Sequence, residues 1–396
     1  MIINYFATNH INITNCYAKG QSVLFTFVRK VRVGSCMLAV IILFLFNVLD
    51  AKAQDNYLAS FSDPSLLWGN GIERVIEEAY RQFFTTRIIG DRVMTVRIPF
   101  AMNSDRDALS ERTINYIGGG KGDPQMLMSA VDRVLNSGDF SFYIDTLSSG
   151  REKVIIFDIS ARTWTVSHDA FLIARIKAGS FTSLPHRPHI YVSGRGALES
   201  DVYNYLYCVG NIGVDCSGFV WHILSYIGEQ GGTNLGRILN PALGVPLNAD
   251  TAQYVGTAFL NSRSPQVISV NDEIRNLRPA DIILFRDILG DIVHSAVIQS
   301  IDYTRGIIRY LQCNNIAPME ERGVHEAFIY FDPLNTAASL KDLSLHWTKK
   351  RFGAFPGEEI PFADDGERYR YRLNGGGRVV RLAALVPVIE RINRGN

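Results

Sequence analysis

The sequence lacks an excess of either charge, since 40 Lys and Arg residues are balanced by 39 Asp and Glu residues in a chain of 396. This balance excludes the broad basic surface by which proteins bind nucleic acid, so we expect no nucleic-acid partner. Internal repeats are also absent. Apolar residues make up 47% of the chain and aromatic residues 11%, which excludes disorder and is enough for about two or three domains.

Long hydrophobic runs are scarce, and the most prominent one lies near the N-terminus. Residues Cys36–Phe46 contain no polar side chain, three basic residues precede them between positions 29 and 32, and the sequence Ala51–Lys52–Ala53 follows. This pattern is typical of a secretory signal, whereas a stable membrane span needs about 20 residues. We predict a signal peptide over residues 1–53, cleaved after about Ala53, and a periplasmic or secreted protein with no stable membrane span. An uncleaved N-terminal anchor is the alternative.

Cysteine is rare as well. The whole chain has 5 cysteines, of which Cys208, Cys216 and Cys313 follow the predicted cleavage site. An odd number in an exported chain leaves one thiol outside any disulfide. Cys208 and Cys313 could form a disulfide that leaves Cys216 as a thiol, or Cys313 could pack as a thiol beneath neighbouring strands.

Residues 54–195 carry helix and strand signals but no recognisable function. Ile72–Phe84 has helical periodicity, and Lys153–Ile159 is typical of a buried strand. The glycine-rich stretch Gly118–Gly122 lacks the spacing of a phosphate-binding loop, so we predict a turn. His186 and His189 lie in a proline-punctuated loop without further ligands, and we therefore predict no metal site and no cofactor.

The most informative stretch is an amphipathic helix with a cysteine in its first turn. In Gly213–Gly228, apolar residues recur on one helical face, Asp215 precedes the helix, and Gly228 is placed to end it. The N-terminal end of a helix favours a thiolate, so we expect the pKa of Cys216 to fall below its usual value of about 8.5. The same backbone N–H groups can bind the oxyanion that forms when a carbonyl is attacked.

Strand signals follow this helix. Ile282–Phe285 is a short apolar run after a turn, and Ile292–Ile301 and Ile307–Cys313 are separated by a turn sequence that predicts a β-hairpin. A helix followed by several antiparallel strands indicates an α+β fold.

A nucleophilic cysteine needs a base, and the base needs a partner that fixes its ring. His294 lies in the first hairpin strand, on the face that it shares with Ala296. If the hairpin pairs His294 directly with residue 312, Gln312 orients the imidazole; an offset of two residues brings Asn314 opposite instead. We favour Gln312, with Asn314 as the alternative.

These residues resemble the NlpC-type cysteine peptidases, which cut bacterial cell-wall peptides. Asp215–Val220 (DCSGFV) is similar to the nucleophile motif of that family, Leu277–Phe285 to its strand entry, Ile292–Ile298 to its histidine strand, and Asn204–Gly210 to its aromatic segment. The resemblance covers about residues 200–316. It implies a papain-like core in which a nucleophile helix packs on an antiparallel sheet.

The resemblance also implies roles for individual residues. Cys216 would be the nucleophile, His294 the base and Gln312 the orienting group. Tyr205 would line the active site, and Asp215 and Ser217 would bind the free end of a short peptide. These six residues are the catalytic and substrate-binding candidates.

The implied activity is hydrolysis of an amide bond in the stem peptides of peptidoglycan through a cysteine thioester. An amidase or acyltransferase on another envelope substrate and a non-catalytic envelope-binding protein are the alternatives. We predict a peptidase domain over residues 196–333, preceded by a mixed α/β segment over 54–195 and followed by an extension over 334–396.

Overall fold

A computed structural model describes part of the chain. The described ranges are 71–101, 117–148, 150–158, 161–178, 190–194, 196–287, 289–314, 323–352, 359–363, 371–372 and 376–395. The predicted signal peptide and the two loop histidines, His186 and His189, lie outside them.

Helices occur before, within and after the region of strands. Across the described ranges the α-helices are, in chain order, α1 (Ile72–Arg81), α2 (Pro124–Leu135), α3 (Gly138–Leu147), α4 (Ala170–Lys177), α5 (Glu199–Cys208), α6 (Cys216–Gln230), α7 (Leu235–Leu243), α8 (Thr257–Leu260) and α9 (Val386–Arg394). Within those same ranges, no helix has the length and apolar character needed to cross a membrane.

The strands are concentrated in the second half of the chain. In chain order they are β1 (Phe84–Ile89), β2 (Arg92–Arg97), β3 (Lys153–Asp158), β4 (Thr163–Ser167), β5 (Ile190–Ser193), β6 (Val267–Val270), β7 (Ile282–Arg286), β8 (Ile292–Asp302), β9 (Ile307–Asn314), β10 (Gly323–Tyr330), β11 (His346–Phe352), β12 (Glu359–Ala363) and β13 (Arg378–Leu382).

The largest sheet has 8 strands in the order β12-β11-β10-β9-β8-β7-β13-β6, and each neighbouring pair in it is antiparallel. A sheet of 3 strands (β4-β3-β5) and a hairpin of 2 strands (β1-β2) precede it in the chain. Helices together with antiparallel sheets confirm the predicted α+β class. The hairpin expected around residues 303–306 is confirmed as β8 and β9.

The central strands of the large sheet are buried on both faces. Phe219 and Ile223 of α6 share one buried cluster with Leu311 of β9, whereas Tyr310 of the same strand belongs to a second cluster with Trp347. Because side chains alternate along a strand, neighbouring residues of β9 enter opposite clusters. The helix α6 therefore lies against one face, and an aromatic cluster covers the other.

The helix α6 is longer than the glycine signal predicts. It continues through Gly228 to Gln230, so the expected stop at Gly228 is wrong. A Cβ at position 228 would lie 2.8 Å from the Leu235 Cγ atom and 2.8 Å from the Thr233 carbonyl oxygen. The glycine thus permits close packing of the following segment against the helix.

The segments on either side of the predicted peptidase domain pack against it. The Phe83 ring lies 5.0 Å from the Phe219 ring of α6, centroid to centroid. The strand β13 lies between β7 and β6 in the large sheet. Residues 54–195 and 334–396 therefore both contribute to the packing around α6 and the sheet, and the predicted domain boundaries stay predictions.

Candidate active site

Asp215 begins the helix that carries the candidate nucleophile. Its Oδ1 atom accepts a hydrogen bond from the Gly218 N–H at 2.5 Å, which caps the helix, and Cys216 is the first helical residue. An N-terminal carboxylate of this kind satisfies a backbone donor that the helix cannot satisfy itself. The cap fixes Cys216 in the first turn, as the sequence predicts, and leaves it only 9% exposed.

A lysine from the N-terminal segment is paired with this cap. The Lys121 Nζ atom donates to Asp215 Oδ1 at 3.0 Å and also to the Ser217 hydroxyl, which itself donates to Asp215 Oδ1 at 3.0 Å. The side chains of Lys121 and Asp215 are 2% and 9% exposed. The two predicted substrate-binding residues, Asp215 and Ser217, are thus brought together around an ammonium group supplied by the chain itself.

The glycine-rich stretch positions Lys121. Gly118, Gly119 and Gly120 have φ angles of 71°, 59° and 74°, a conformation that glycine adopts readily. The Gly120 carbonyl accepts the Asp215 N–H at 2.8 Å. The predicted turn is confirmed, and it brings a cation to the candidate site.

Two residues of α6 hold this turn in place. A Cβ at Gly218 would lie 2.8 Å from the Gly120 carbonyl oxygen, so the close approach requires glycine there. One turn later, His222 Nε2 donates to the Lys121 carbonyl at 2.8 Å. The sequence contains no periodic or motif signal that connects Lys121 with Cys216, and only the tertiary contact shows their proximity.

The acidity of the thiol differs from the expectation. The pKa of Cys216 is raised to about 11, chiefly by burial and in addition by the Asp215 carboxylate, while the backbone N–H of Ser295 and the Lys121 ammonium oppose the rise. The predicted fall in pKa is wrong because desolvation of the thiolate outweighs the effect of the helix terminus. Cys216 is therefore a protonated thiol at neutral pH, and its use as a nucleophile requires a base.

The candidate base is held by the predicted amide. His294 Nε2 and Gln312 Oε1 are 2.8 Å apart, and the two residues are 3% and 0% exposed. The strand register pairs Gln312 with Ala296, so Gln312 reaches His294 diagonally. The expectation that residue 312 lies directly opposite His294 is wrong, but the imidazole–Gln312 contact is present. Asn314, the alternative partner, is buried at the end of β9.

The thiol meets the histidine strand at the residue after His294. The Ser295 N–H is directed at the Cys216 sulfur, which links the start of α6 to the start of β8. Since side chains alternate along β8, His294 lies on the face of Phe285 and Ser295 on the face of α6. Ser295, and not the His294 imidazole, therefore faces the Cys216 thiol in this structure, with its backbone N–H and its side chain. No motif in the sequence singles out Ser295.

The two other cysteines are not joined to each other. Cys208 and Cys313, both in the described part of the chain, form no disulfide, so that alternative is wrong. The Cys313 thiol donates to the Val214 carbonyl at 3.1 Å and packs beneath the sheet beside α6. Burial raises the pKa of Cys313 well above its ordinary value.

Tyr205 packs in an aromatic cluster. Its ring lies 5.1 Å from the Phe140 ring and 4.7 Å from the Tyr143 ring, and burial raises the pKa of Tyr205 to about 12. These ring contacts are with helix α3 of the N-terminal segment. The predicted role of Tyr205 in lining the active site stays a prediction.

A second histidine adjoins Gln312. His325 of β10 is directly opposite Gln312, and its Nε2 atom lies 3.1 Å from Gln312 Nε2. Its Nδ1 atom lies 2.8 Å from the Gly323 carbonyl oxygen. The sequence alone does not reveal this neighbour, because its position depends on the register between β9 and β10.

The raised pKa predicts the pH dependence of alkylation at Cys216. Only the thiolate reacts, so the rate in the folded protein should rise about tenfold per pH unit from pH 7 to 10 with no plateau near 8.5. Iodoacetamide labelling followed by peptide mapping measures it, with the urea-unfolded protein as the control that reaches a plateau near the ordinary value. Lys121→Met removes an ammonium that favours the thiolate and should slow labelling further at each pH. A plateau below pH 9 in the folded wild-type protein would contradict the assignment.

Comparison with known proteins leaves the site to be interpreted from its own geometry. No protein-family model matches the chain, and no curated protein or solved structure is a match for it. The thiol, the imidazole and their neighbours are therefore the features from which a function can be proposed.

Proposed function

We propose that the protein is an exported cysteine endopeptidase with a papain-like, NlpC-type core that hydrolyses amide bonds in peptidoglycan stem peptides. The observation that carries this proposal is the buried hydrogen bond between His294 Nε2 and Gln312 Oε1, on the strand that meets the Cys216 thiol. A thiol, an imidazole and an amide that orients the imidazole are the groups that acyl transfer through cysteine requires.

In the proposed reaction, the start of β8 rearranges so that the His294 ring moves from the Phe285 face to the α6 face, and the Cys216 thiol gives its proton to His294 Nδ1 as the sulfur attacks the amide carbon. Gln312 Oε1 accepts the hydrogen bond from the Nε2–H group and keeps Nδ1 available as the base. Backbone N–H groups in the first turn of α6 stabilise the oxyanion. The imidazolium returns the proton to the leaving amine, a thioester remains on Cys216, and water, deprotonated by His294, hydrolyses it.

The chemistry around Asp215 supports a peptide substrate with a free amino end. Asp215 and Ser217 already bind one ammonium, that of Lys121, in a buried setting. A carboxylate and a hydroxyl in this arrangement suit the α-ammonium group of a short peptide equally well. In this proposal the substrate displaces Lys121.

The proposed substrate lies outside the cytosol, in agreement with the signal predicted over residues 1–53. After cleavage near Ala53, the protein would meet peptidoglycan in the periplasm or at the cell surface. No nucleic acid, metal or cofactor has a role in the proposed reaction.

Digestion of purified sacculi tests the proposal. Wild-type protein should release stem-peptide fragments with new amino and carboxyl termini, identified by mass spectrometry. Cys216→Ala should release none, whereas Cys313→Ser, a change at a neighbouring buried thiol, should retain activity. Fragments that carry an added amine instead of a new carboxylate would indicate acyl transfer. Equal products from wild type and Cys216→Ala would overturn the proposal, as would no products from either.

A further inference from the structure

The hydrogen bonds around Gln312 continue beyond the three proposed catalytic groups. We propose that His325 is a positioning residue that fixes the orientation of the Gln312 amide and, through it, the tautomer of His294. This inference rests on the proposed role of His294 as the base, but its test does not depend on hydrolysis.

The contacts form one continuous chain from a backbone carbonyl to the imidazole. The Gly323 carbonyl oxygen lies 2.8 Å from His325 Nδ1, His325 Nε2 lies 3.1 Å from Gln312 Nε2, and Gln312 Oε1 lies 2.8 Å from His294 Nε2. The three side chains are 6%, 0% and 3% exposed in that order. Such burial makes each hydrogen bond costly to lose, because water cannot readily replace it.

The position of each proton in this series of hydrogen bonds follows from its first acceptor, the Gly323 carbonyl oxygen. A carbonyl oxygen can only accept, so His325 Nδ1 must carry a proton. In a neutral imidazole the other nitrogen is then an acceptor, and His325 Nε2 accepts from the Gln312 amide NH₂ group. Gln312 Oε1 consequently faces His294 and accepts from its Nε2–H group. His294 Nδ1 is left as the unprotonated nitrogen that a base requires.

The reverse orientation of the amide would disable the base. If the Gln312 NH₂ group faced His294, the imidazole would have to accept at Nε2 and carry its proton on Nδ1. A neutral His294 in that form could not take the Cys216 proton at Nδ1. The acceptor nitrogen of His325 selects against this orientation, because a carboxamide oxygen placed beside it would leave two acceptors in contact.

The backbone at Gly323, where this series of hydrogen bonds begins, is held firmly. Gly323 has a φ of 116°, and a Cβ there would lie 2.8 Å from the Ile98 carbonyl oxygen. The next residue, Val324, donates its N–H to that same carbonyl at 3.1 Å. The Gly323 carbonyl, which defines the proton positions, is therefore fixed by contact with the segment that follows β2. That segment lies outside the predicted peptidase domain.

The tautomers can be measured directly by NMR of protein labelled with ¹⁵N-histidine, using the long-range couplings from ring nitrogens to ring protons. In the wild-type protein at neutral pH we expect His294 to be protonated on Nε2 alone and His325 on Nδ1 alone. His325→Phe should convert His294 to a mixture of tautomers, and His325→Gln, which restores an acceptor for Gln312, should return the single Nε2–H form. His168→Phe, at an exposed histidine, is the matched control and should change neither.

Kinetics provide the second readout. We expect His325→Phe to lower kcat for stem-peptide cleavage about 10- to 100-fold, by analogy with the loss when the hydrogen-bond partner of a metal-ligating histidine is removed, with KM unchanged and with recovery in His325→Gln. A wild-type His294 protonated on Nδ1 would overturn the inference even if His325→Phe does not fold. An unaltered tautomer in His325→Phe would also overturn it. If wild-type protein cleaves no stem peptide but shows the expected tautomers, the proposed function fails and the positioning role stands.

Discussion

Cys216→Ala, His294→Gln and the double variant are expected to lower kcat/KM for stem-peptide hydrolysis to the same residual level, at least about 1,000-fold below wild type. The reason is that the thiol and the imidazole act as one unit. Burial raises the pKa of Cys216 to about 11, so without His294 almost no thiolate forms at neutral pH. Without Cys216, the imidazole has no nucleophile to activate.

Steady-state kinetics on purified stem peptides of the three variants measure this coupling. Gln312→Ala should have a smaller effect, since His294 keeps its position in β8 and loses only its orienting partner. Cys313→Ser is the matched control, because it changes a neighbouring buried thiol that donates to the Val214 carbonyl, and serine can donate as well. Additive losses, with the double variant far below either single variant, would contradict the assignment of Cys216 and His294 to one unit.

Arg309→Met is expected to lower the free energy of unfolding by about 3–5 kcal/mol, the cost of removing one member of a buried ion pair. Arg309 joins α1 to the sheet: its Nη1 atom lies 2.6 Å from Glu77 Oε2, and its Nε atom lies 2.5 Å from Glu326 Oε2. The Arg309 and Glu77 side chains are each 2% exposed. The substitution would remove the buried cation that both carboxylates share, and Glu77 would keep only its 2.9 Å ion pair with Arg81, whose side chain is 43% exposed.

Urea unfolding followed by circular dichroism measures this loss. Adding Glu77→Gln and Glu326→Gln to Arg309→Met should recover much of the stability, because the two buried negative charges are removed. Arg305→Met breaks an exposed pair with Asp302 and should change stability by less than about 1 kcal/mol. A loss below about 1 kcal/mol for Arg309→Met would show that the buried ion pair does not hold α1 on the sheet.

Local sequence patterns predict the elements of the site well. The apolar face after Asp215 predicts α6, and the two apolar runs on either side of residues 303–306 predict β8 and β9, since both signals depend on residues close in the chain. The register is not predicted by the same patterns, because an irregularity between Ile298 and Ser300 shifts it so that Gln312 pairs with Ala296 and reaches His294 diagonally.

Other features of the site depend on contacts between distant segments. Lys121 lies 94 residues before Asp215 in the chain, and His325 becomes a neighbour of Gln312 only through the pairing of β9 with β10. The pKa of Cys216 follows from burial, which a helix pattern does not specify. For this reason the sequence predicts the candidate residues Cys216, His294 and Gln312 but misses the cation beside Cys216 and the sign of its pKa shift.

Trapping of the acyl-enzyme tests the central claim most directly. Wild-type protein is quenched with acid during turnover of a stem peptide, and the adduct is located by peptide mapping with mass spectrometry. The account predicts an adduct with the mass of the acyl portion of the cleaved peptide, confined to Cys216 and absent from Cys216→Ala, which releases no product. An adduct on another residue, or product release by Cys216→Ala at the wild-type rate, would contradict the account.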